Sequence, residues 1–171
     1  MRNLFLAEKD RAFRTEVRDF LVRELAPRVD AIEVHQDFAA QLDVARPLGE
    51  ARHLKPMFRD PYRGKLANPG LTHAVIASEE ASQLNYAFET TIATTLSCAY
   101  PLHHYGGPAL RERYLVTILE GRTVGSDGAN METRIRFDAS TREWVFSDFK
   151  SYISNAGKAA AYIVCGITAP M

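Results

Sequence analysis

The sequence has no excess charge of either sign, because lysine and arginine together number 21 and so do aspartate and glutamate. A neutral chain gives no electrostatic reason to expect nucleic acid or an anionic membrane as a partner. No apolar run approaches the ~20 residues that span a bilayer. The N-terminus also lacks the apolar segment of about 7–15 residues found in signal peptides. We therefore expect a cytoplasmic protein that binds neither nucleic acid nor membranes.

Cysteine is scarce, with Cys98 in an apolar helical stretch and Cys165 in an apolar strand. Free cysteine behaves as a small hydrophobic residue, so we expect two buried free thiols. No CxxC spacing or Cys/His cluster is present, and His53 and His73 have no partner at metal-ligand spacing. The sequence therefore predicts no metal site.

Helical signals fill the first 121 residues, and the apolar fraction of 46% is enough for a buried core. Proline and glycine divide this part of the chain into segments. We predict helices over Glu8–Leu25, Ala39–His53, Thr72 to about Asn85, Phe88–His103 and Pro108 to Gly121, with a loop over Lys55–Gly70. Phe58 and Tyr62 are expected to hold that loop against the body of the protein.

Several of these helices carry local signals at defined residues. Thr72 is a candidate N-cap, and Pro47 predicts either a kink or two short turns. The fourth helix has almost no charge and is rich in small and β-branched residues, so we expect its neighbours to bury it. Gly121 is the expected stop of the fifth helix.

From Arg122 onward the apolar period changes to two residues, which is typical of strands. We predict strands over 131–137, 143–146, 151–154 and 161–167, with a hairpin turn at 138–142. The predicted fold is mainly α with a small β part: a bundle of about five helices, then an incomplete antiparallel sheet. The expected domains are residues 1–121 and 122–171.

Several motifs resemble one known family. Three segments are similar to consecutive features of acyl-CoA dehydrogenases, namely a helix with a glycine turn, a helix containing "KYLP" and a helix stop at "GE". In this sequence they are Tyr100–Gly106, Arg113-Tyr114-Leu115 and Glu120-Gly121. Met131–Arg134 and Lys150–Ala156 are similar to "METRA … GTKTWITNS" of that family. The chain resembles the N-terminal helical domain plus part of the middle β domain, in the glutaryl-CoA dehydrogenase branch.

The resemblance implies a fold that encloses FAD and an acyl thioester of coenzyme A. A glutamate of the C-terminal domain removes the α-proton, and the β-hydride passes to the flavin. The implied activity is an oxidoreductase acting on CH–CH groups. Base and cofactor must lie on opposite faces of the same carbon pair.

This sequence departs from the family in three ways. It ends after the fourth predicted strand, so the C-terminal domain and its base glutamate are missing. The Thr-Glu-Pro part of the family's first-strand motif is absent between Val124 and Gly125. Ala87 or Phe88 stands where the glutaryl branch has a substrate-binding arginine. We therefore expect a truncated protein with no catalytic residue and no dehydrogenase activity by itself.

Four residues match cofactor-site positions of the family. Gly125 and Ser126 match a glycine and serine near the flavin pyrophosphate and thioester. Tyr152 stands in place of a tryptophan against the isoalloxazine, and Ser154 in place of a threonine that bonds the ring. The alternative, which the deletion favours, is that these are strand residues kept for packing. The cofactor expectation is therefore no FAD, or weak binding of FAD.

Two further candidates have simpler explanations. Glu79 and Glu80 suggest acid–base catalysis, but adjacent helix positions do not face each other, so one of them is expected to meet solvent. His103 and His104 lie at a predicted helix end, where imidazoles interact favourably with the dipole. We expect both pairs to be structural or surface residues.

Two functions remain open. The first is a binding or scaffold protein that keeps an acyl-thioester or apolar-ligand site. The second is half of a split FAD-dependent acyl-CoA dehydrogenase that a partner chain completes. A third possibility is that the chain is a truncated gene product or an engineered fragment. Uncovered apolar surface and open strand edges favour association, so we expect a homodimer or a complex with a chain that supplies the absent half.

Overall fold

The structure is a computed structural model that describes residues 6–35, 39, 43–55, 58, 62, 70–128, 133–150, 153–154 and 156–168. The helices are α1 (Glu8–Glu24), α2 (Val29–Glu33), α3 (Ala45–Glu50), α4 (Leu71–Leu84), α5 (Tyr86–Tyr105), α6 (Pro108–Leu110) and α7 (Val116–Leu119). A short 3₁₀ turn (Ala26–Arg28) precedes α2, and five π-helical residues (Arg111–Leu115) join α6 to α7.

Helix α1 confirms the predicted apolar stripe. Phe13, Val17, Phe20 and Leu21 are buried on one face, which contacts α4. Such spacing places residues of consecutive turns on the same side of a helix. The stripe belongs to a core that also includes residues from α3, α4, α5 and α7.

One local prediction in this region is wrong. Thr72 is not an N-cap, because α4 begins one residue earlier and Gly70 occupies the cap position without a side-chain hydrogen bond. Of the two alternatives for Pro47, the structure has the short turns and not a kinked long helix, since a turn at 43–44 precedes the short α3. Pro47 lies in the first turn of α3, where a backbone N–H has no partner inside the helix, so proline is tolerated.

Asn85 separates α4 from α5, as predicted. Its backbone is extended, and its side-chain oxygen accepts a hydrogen bond from the Ala87 backbone N–H at 2.8 Å. Its side-chain nitrogen donates to Glu33 of α2 at 2.6 Å. This N-cap starts α5 two residues before the predicted position and turns the chain into an antiparallel helix pair.

Gly121 ends the helical region as predicted. Its φ is +69°, and a Cβ at this position would lie 2.0 Å from the carbonyl oxygen of Ala45. Both the left-handed backbone and the close approach of α3 require glycine. Within the predicted loop, Phe58 is buried and Tyr62 packs against the core, which confirms their expected contacts. The rest of that loop lies largely outside the described residues.

The strands are β1 (Gly125–Gly128), β2 (Arg134–Asp138), β3 (Glu143–Ser147), β4 (Ala161–Val164) and β5 (Ile167–Thr168). The hairpin between β2 and β3 is confirmed, with Ile135 opposite Phe146 and Phe137 opposite Trp144. β1 was not predicted. In the predicted strand 151–154, Ser151 and Tyr152 lie outside the described residues, and Ile153 and Ser154 are not in a strand.

The fold class is confirmed, but the expectation of an antiparallel sheet holds only for the hairpin. β1 pairs with β4 in parallel, and β5 pairs with β2 in parallel. The predicted last strand is divided between these two sheets at Cys165 and Gly166. Parallel pairs need long connections, and the segments between β1 and β4 and between β2 and β5 provide them.

The β part meets the helices through β1 and β4, which contact α5. Cys98 is buried at this contact and donates to the Ala161 carbonyl at 3.7 Å. Cys165 is exposed, so the prediction of a buried thiol is wrong there. It follows the end of β4, where the chain leaves one sheet for the other. Among the helices that the structure describes, none combines the length and apolar character of a membrane crossing.

Candidate functional site

A groove of about 1390 Å³ runs between α4 and α5. Its α4 wall is a stripe of residues at spacings of three and four: Leu71, Val75, Ser78 and Ser82. Its α5 wall is a second such stripe: Tyr86, Glu89, Ala93, Ser97, Tyr100 and His104. These spacings place each set on one helix face.

Small side chains create the space in the middle of the groove. Ala74 and Ser78 on α4 lie across from Ala93 and Ser97 on α5. The other faces of α5 are filled, since Ile92 and Cys98 are buried in the core. The expectation that neighbours bury α5 holds for those faces only, and the groove was not predicted. The available signal was the second stripe of small and tyrosine residues at helical spacing.

The groove is acidic at the end near the α4–α5 junction, where Glu79 and Glu89 lie. Glu79 forms an ion pair with Arg14 of α1, and its side chain is 52% exposed. Glu89 is half-buried. Among the described lining residues there is no lysine or arginine, so this end of the groove carries negative charge.

Glu80 points away from the groove into a buried ion-pair network. It accepts from Arg18 at 2.7 and 2.9 Å, and Arg14 lies at 3.4 Å. Its side chain is 2% exposed. The two carboxylates therefore do not cooperate as an acid–base pair. The expectation that one of the two meets solvent is confirmed, since the Glu79 side chain is about half exposed while that of Glu80 is buried.

The other end of the groove is formed by His103, His104 and Tyr100. The two imidazole centroids are 4.9 Å apart, and that of His104 is 4.3 Å from the Tyr100 ring. Burial lowers the pKa of His103, and the neighbouring His104 and Arg111 lower it further. A neutral imidazole can both donate and accept a hydrogen bond. These histidines thus belong to the groove as well as to a helix end.

The chain matches the family model described as "Acyl-CoA dehydrogenase, N-terminal domain" over residues 7–122. It belongs to the acyl-CoA dehydrogenase family. The resemblance noted in the motifs is therefore confirmed across the helical region that builds the groove.

The relatives of this acyl-CoA dehydrogenase-family chain are longer than it is. Glutaryl-CoA dehydrogenase of Desulfococcus multivorans is 25% identical over 95% of this chain, which spans 44% of that protein. A glutaryl-CoA dehydrogenase structure from Mycobacterium smegmatis has a TM-score of 0.79 at 20% identity, with 97% of this chain and 44% of that one covered. Another from the same organism, in complex with FADH2, has a TM-score of 0.77 at 21% identity, with 95% and 43% covered. The chain thus spans less than half the length of these relatives.

The predicted cofactor residues of this family member are only partly described. Gly125 lies in β1, where a Cβ would be 2.4 Å from the Cys98 Cβ. Ser126 pairs with Tyr162 along β1 and β4, but its side chain lies outside the description, as does Tyr152. Ser154 is exposed in a turn. The structure does not bring Gly125 and Ser154 together in the groove, so the flavin role of the four residues stays a prediction.

Gly125 has a packing explanation that the sequence did not reveal. The Gly-Ser-Asp stretch forms β1 itself, and β1 lies directly against α5. A residue without a side chain is needed where the strand meets Cys98. Packing against Cys98 is therefore a sufficient reason for glycine at this position, whatever its role toward flavin.

The two positions aligned with the substrate-binding arginine of the glutaryl branch hold apolar residues. Phe88 is fully buried in the core, and Ala87 is half-buried beside the Asn85 cap. Neither residue can pair with an anion. In the described parts of the chain, no three His, Cys, Asp or Glu side chains are grouped as a metal ion would require.

Proposed function

We propose that this chain binds an acyl thioester of coenzyme A, with the acyl part in the groove between α4 and α5, and acts as a binding or scaffold protein without dehydrogenase activity by itself. The observation that carries the proposal is the groove's lining of small and apolar residues along two helix faces. Membership of the acyl-CoA dehydrogenase family supports an acyl thioester as the ligand.

The size and lining of the groove suit an acyl chain. From Tyr86 to His104 the helix rises by about 27 Å, at ~1.5 Å per residue. Each buried methylene stabilises a complex by about 0.8 kcal/mol. Ser78 and Ser97 place hydroxyl groups along the same walls, where they can bond to a thioester or amide.

The lack of independent dehydrogenase activity is proposed from this chain's own residues. Desaturation needs a base on one side of the reacting carbons and a flavin on the other. Glu79 and Glu80 are engaged by arginines of α1. Gly125 packs against Cys98 so closely that packing alone accounts for a glycine there. We therefore propose no FAD binding, or weak FAD binding, by these residues.

Calorimetric titration with hexanoyl-CoA tests the proposal. Ala93→Trp fills the middle of the groove and should weaken binding at least tenfold, whereas Ala109→Trp on exposed α6 should leave it unchanged. Both variants should melt within a few degrees of the parent. Absence of hexanoyl-CoA binding, or equal binding by Ala93→Trp, would contradict the proposal.

A second candidate function is half of a split FAD-dependent acyl-CoA dehydrogenase. It is favoured by large apolar side chains that line the groove and are exposed, with Leu71 69%, Tyr86 75% and Tyr100 46% exposed. A second polypeptide could cover them. Visible flavin absorbance that copurifies with the chain, and desaturation on mixing with a chain that supplies the absent half, would favour this candidate.

We also propose that the domain boundary falls between residues 121 and 122, giving domains 1–121 and 122–171. The last helix ends at Leu119, and Gly121 turns the chain toward β1. The family match ends at residue 122. Limited proteolysis of the full chain tests this boundary, since cleavage near the junction should precede cleavage within α4 or α5.

A further inference from the structure

We infer that the groove selects acyl chains whose far end is uncharged and rejects those that end in a carboxylate, with Glu89 as the residue that discriminates. This inference rests on the proposed acyl-thioester function and names the substrate class of that site. It depends on the position of Glu89, on the charges along the groove and on the direction in which a ligand lies.

Glu89 is the acidic group at the junction end that no described side chain pairs with, and it lies in the first turn of α5, where the helix dipole keeps it ionised. Glu79 lies on the opposite wall, but Arg14 pairs with it. Among the described residues, Glu89 has no ion pair, and it lies half-buried on the groove face of α5. A carboxylate placed beside it would be repelled more strongly than in bulk water, because the helices exclude part of the solvent.

No described lining residue can compensate for this repulsion, since none is a lysine or arginine. Arg14 is already shared between Glu79 and Glu80. Phe88 is buried in the core and cannot reach the groove. An acyl tail that ends in a methyl group meets no such penalty and keeps its apolar contacts.

The two ends of the groove differ in charge, and this difference sets the direction of the ligand. His103 and His104 form one end, and Arg111 acts electrostatically on His103. The phosphates of coenzyme A are anionic and favour this imidazole end over the end with Glu89. The acyl tail then points toward the α4–α5 junction, where it meets Glu89.

A matched pair of ligands tests the inference on the full chain. Hexanoyl-CoA and adipoyl-CoA share a six-carbon acyl chain and differ in a terminal carboxylate. We expect hexanoyl-CoA to bind the parent protein at least tenfold more tightly. Glu89→Gln should reduce this ratio to about threefold or less, mainly by improving adipoyl-CoA binding. Glu112→Gln, the same charge change at an exposed site on another helix, should leave the ratio unchanged.

A second measurement needs no variant. The preference of the parent protein for hexanoyl-CoA over adipoyl-CoA should decrease as the salt concentration is raised, because salt screens partly exposed charges. The inference would be overturned if the two thioesters bound equally, or if neither Glu89→Gln nor salt changed the ratio of their affinities. Either result would leave the proposed function intact. If neither thioester binds, the proposed function fails and the discrimination fails with it.

Discussion

Glu80 of α4 accepts hydrogen bonds from both the Nε and an Nη atom of Arg18 on α1, at 2.9 Å or less. The contact spans 62 positions in the sequence. Arg14, one turn earlier on α1, lies 3.4 Å from the same carboxylate and is itself buried. The network thus fixes α1 against the helix that forms one wall of the groove.

Removing Glu80 should destabilise the protein strongly. Glu80→Ala leaves the buried Arg14 guanidinium with less compensation, and breaking a buried ion pair in this way costs about 3 kcal/mol or more. The exposed pair Arg23–Glu24 provides the control, since Glu24→Ala should change stability by less than about 1 kcal/mol. Urea denaturation measures both. Equal effects of the two substitutions would show that the network contributes little.

Gly125 should not tolerate a side chain. In Gly125→Ala the new Cβ would lie 2.4 Å from the Cys98 Cβ and 2.8 Å from its Sγ, so β1 must move away from α5. Overpacking of this kind costs ~1–3 kcal/mol. Gly107→Ala, where a Cβ meets open space, should change the free energy of unfolding by less than about 0.5 kcal/mol.

The result for Gly125→Ala also separates two roles for this residue. A packing role predicts lower stability in protein purified without flavin. If the variant is as stable as the parent and instead loses bound FAD, the cofactor role is supported and the packing explanation is wrong.

The stability of the protein should fall in mild acid, partly through His103. Its pKa in the folded state is below the ordinary value of 6.5 because the ring is partly buried and lies near His104 and Arg111. As pH falls below this value, the unfolded chain takes up the proton first, so the free energy of unfolding decreases until the folded-state pKa is passed. Above the ordinary value both states are neutral, and the effect vanishes.

A non-titrating variant measures this contribution. His103→Gln should lose less stability than the parent between about pH 7.5 and about pH 5.5 in urea denaturation. His35→Gln, at an exposed turn position, should follow the parent curve. A parent and a His103→Gln variant with parallel pH profiles would contradict the assignment.

The helices were predictable because their signals are local. The stripe of α1 follows from its apolar spacing, and Asn85 interrupts the chain through a cap that its own side chain forms. Gly121 stops the helical region because its backbone is left-handed. These features need no knowledge of distant residues.

The features that could not be predicted depend on contacts between distant residues. β1 contains two glycines and has little strand propensity, yet it pairs with β4 and packs on α5. The groove needs two stripes from different helices to face each other. Cys165 has the pattern of a core residue within an apolar run, but the chain changes sheets beside it and leaves it exposed.

The hairpin presents an apolar face that should drive association. Phe137 and Trp144 are cross-strand neighbours with ring centroids 5.2 Å apart, and Phe146 lies on the same face. Each of these three side chains is at least 50% exposed. Aromatic groups of this size stabilise interfaces when they are buried. We therefore propose that the chain forms a homodimer, or a complex with a completing chain, through this face.

Sedimentation velocity at micromolar concentrations tests the proposal. The parent protein should sediment as a dimer, and the double variant Trp144→Ser/Phe146→Ser should shift to monomer with its helical circular dichroism unchanged. Val145→Ser, on the opposite face of the same strand, should remain dimeric. Dimerisation that the double variant does not alter would place the interface elsewhere. A parent that is monomeric alone and associates only with a completing chain would instead favour the split enzyme, because the same aromatic face would then be covered by the other half of the fold.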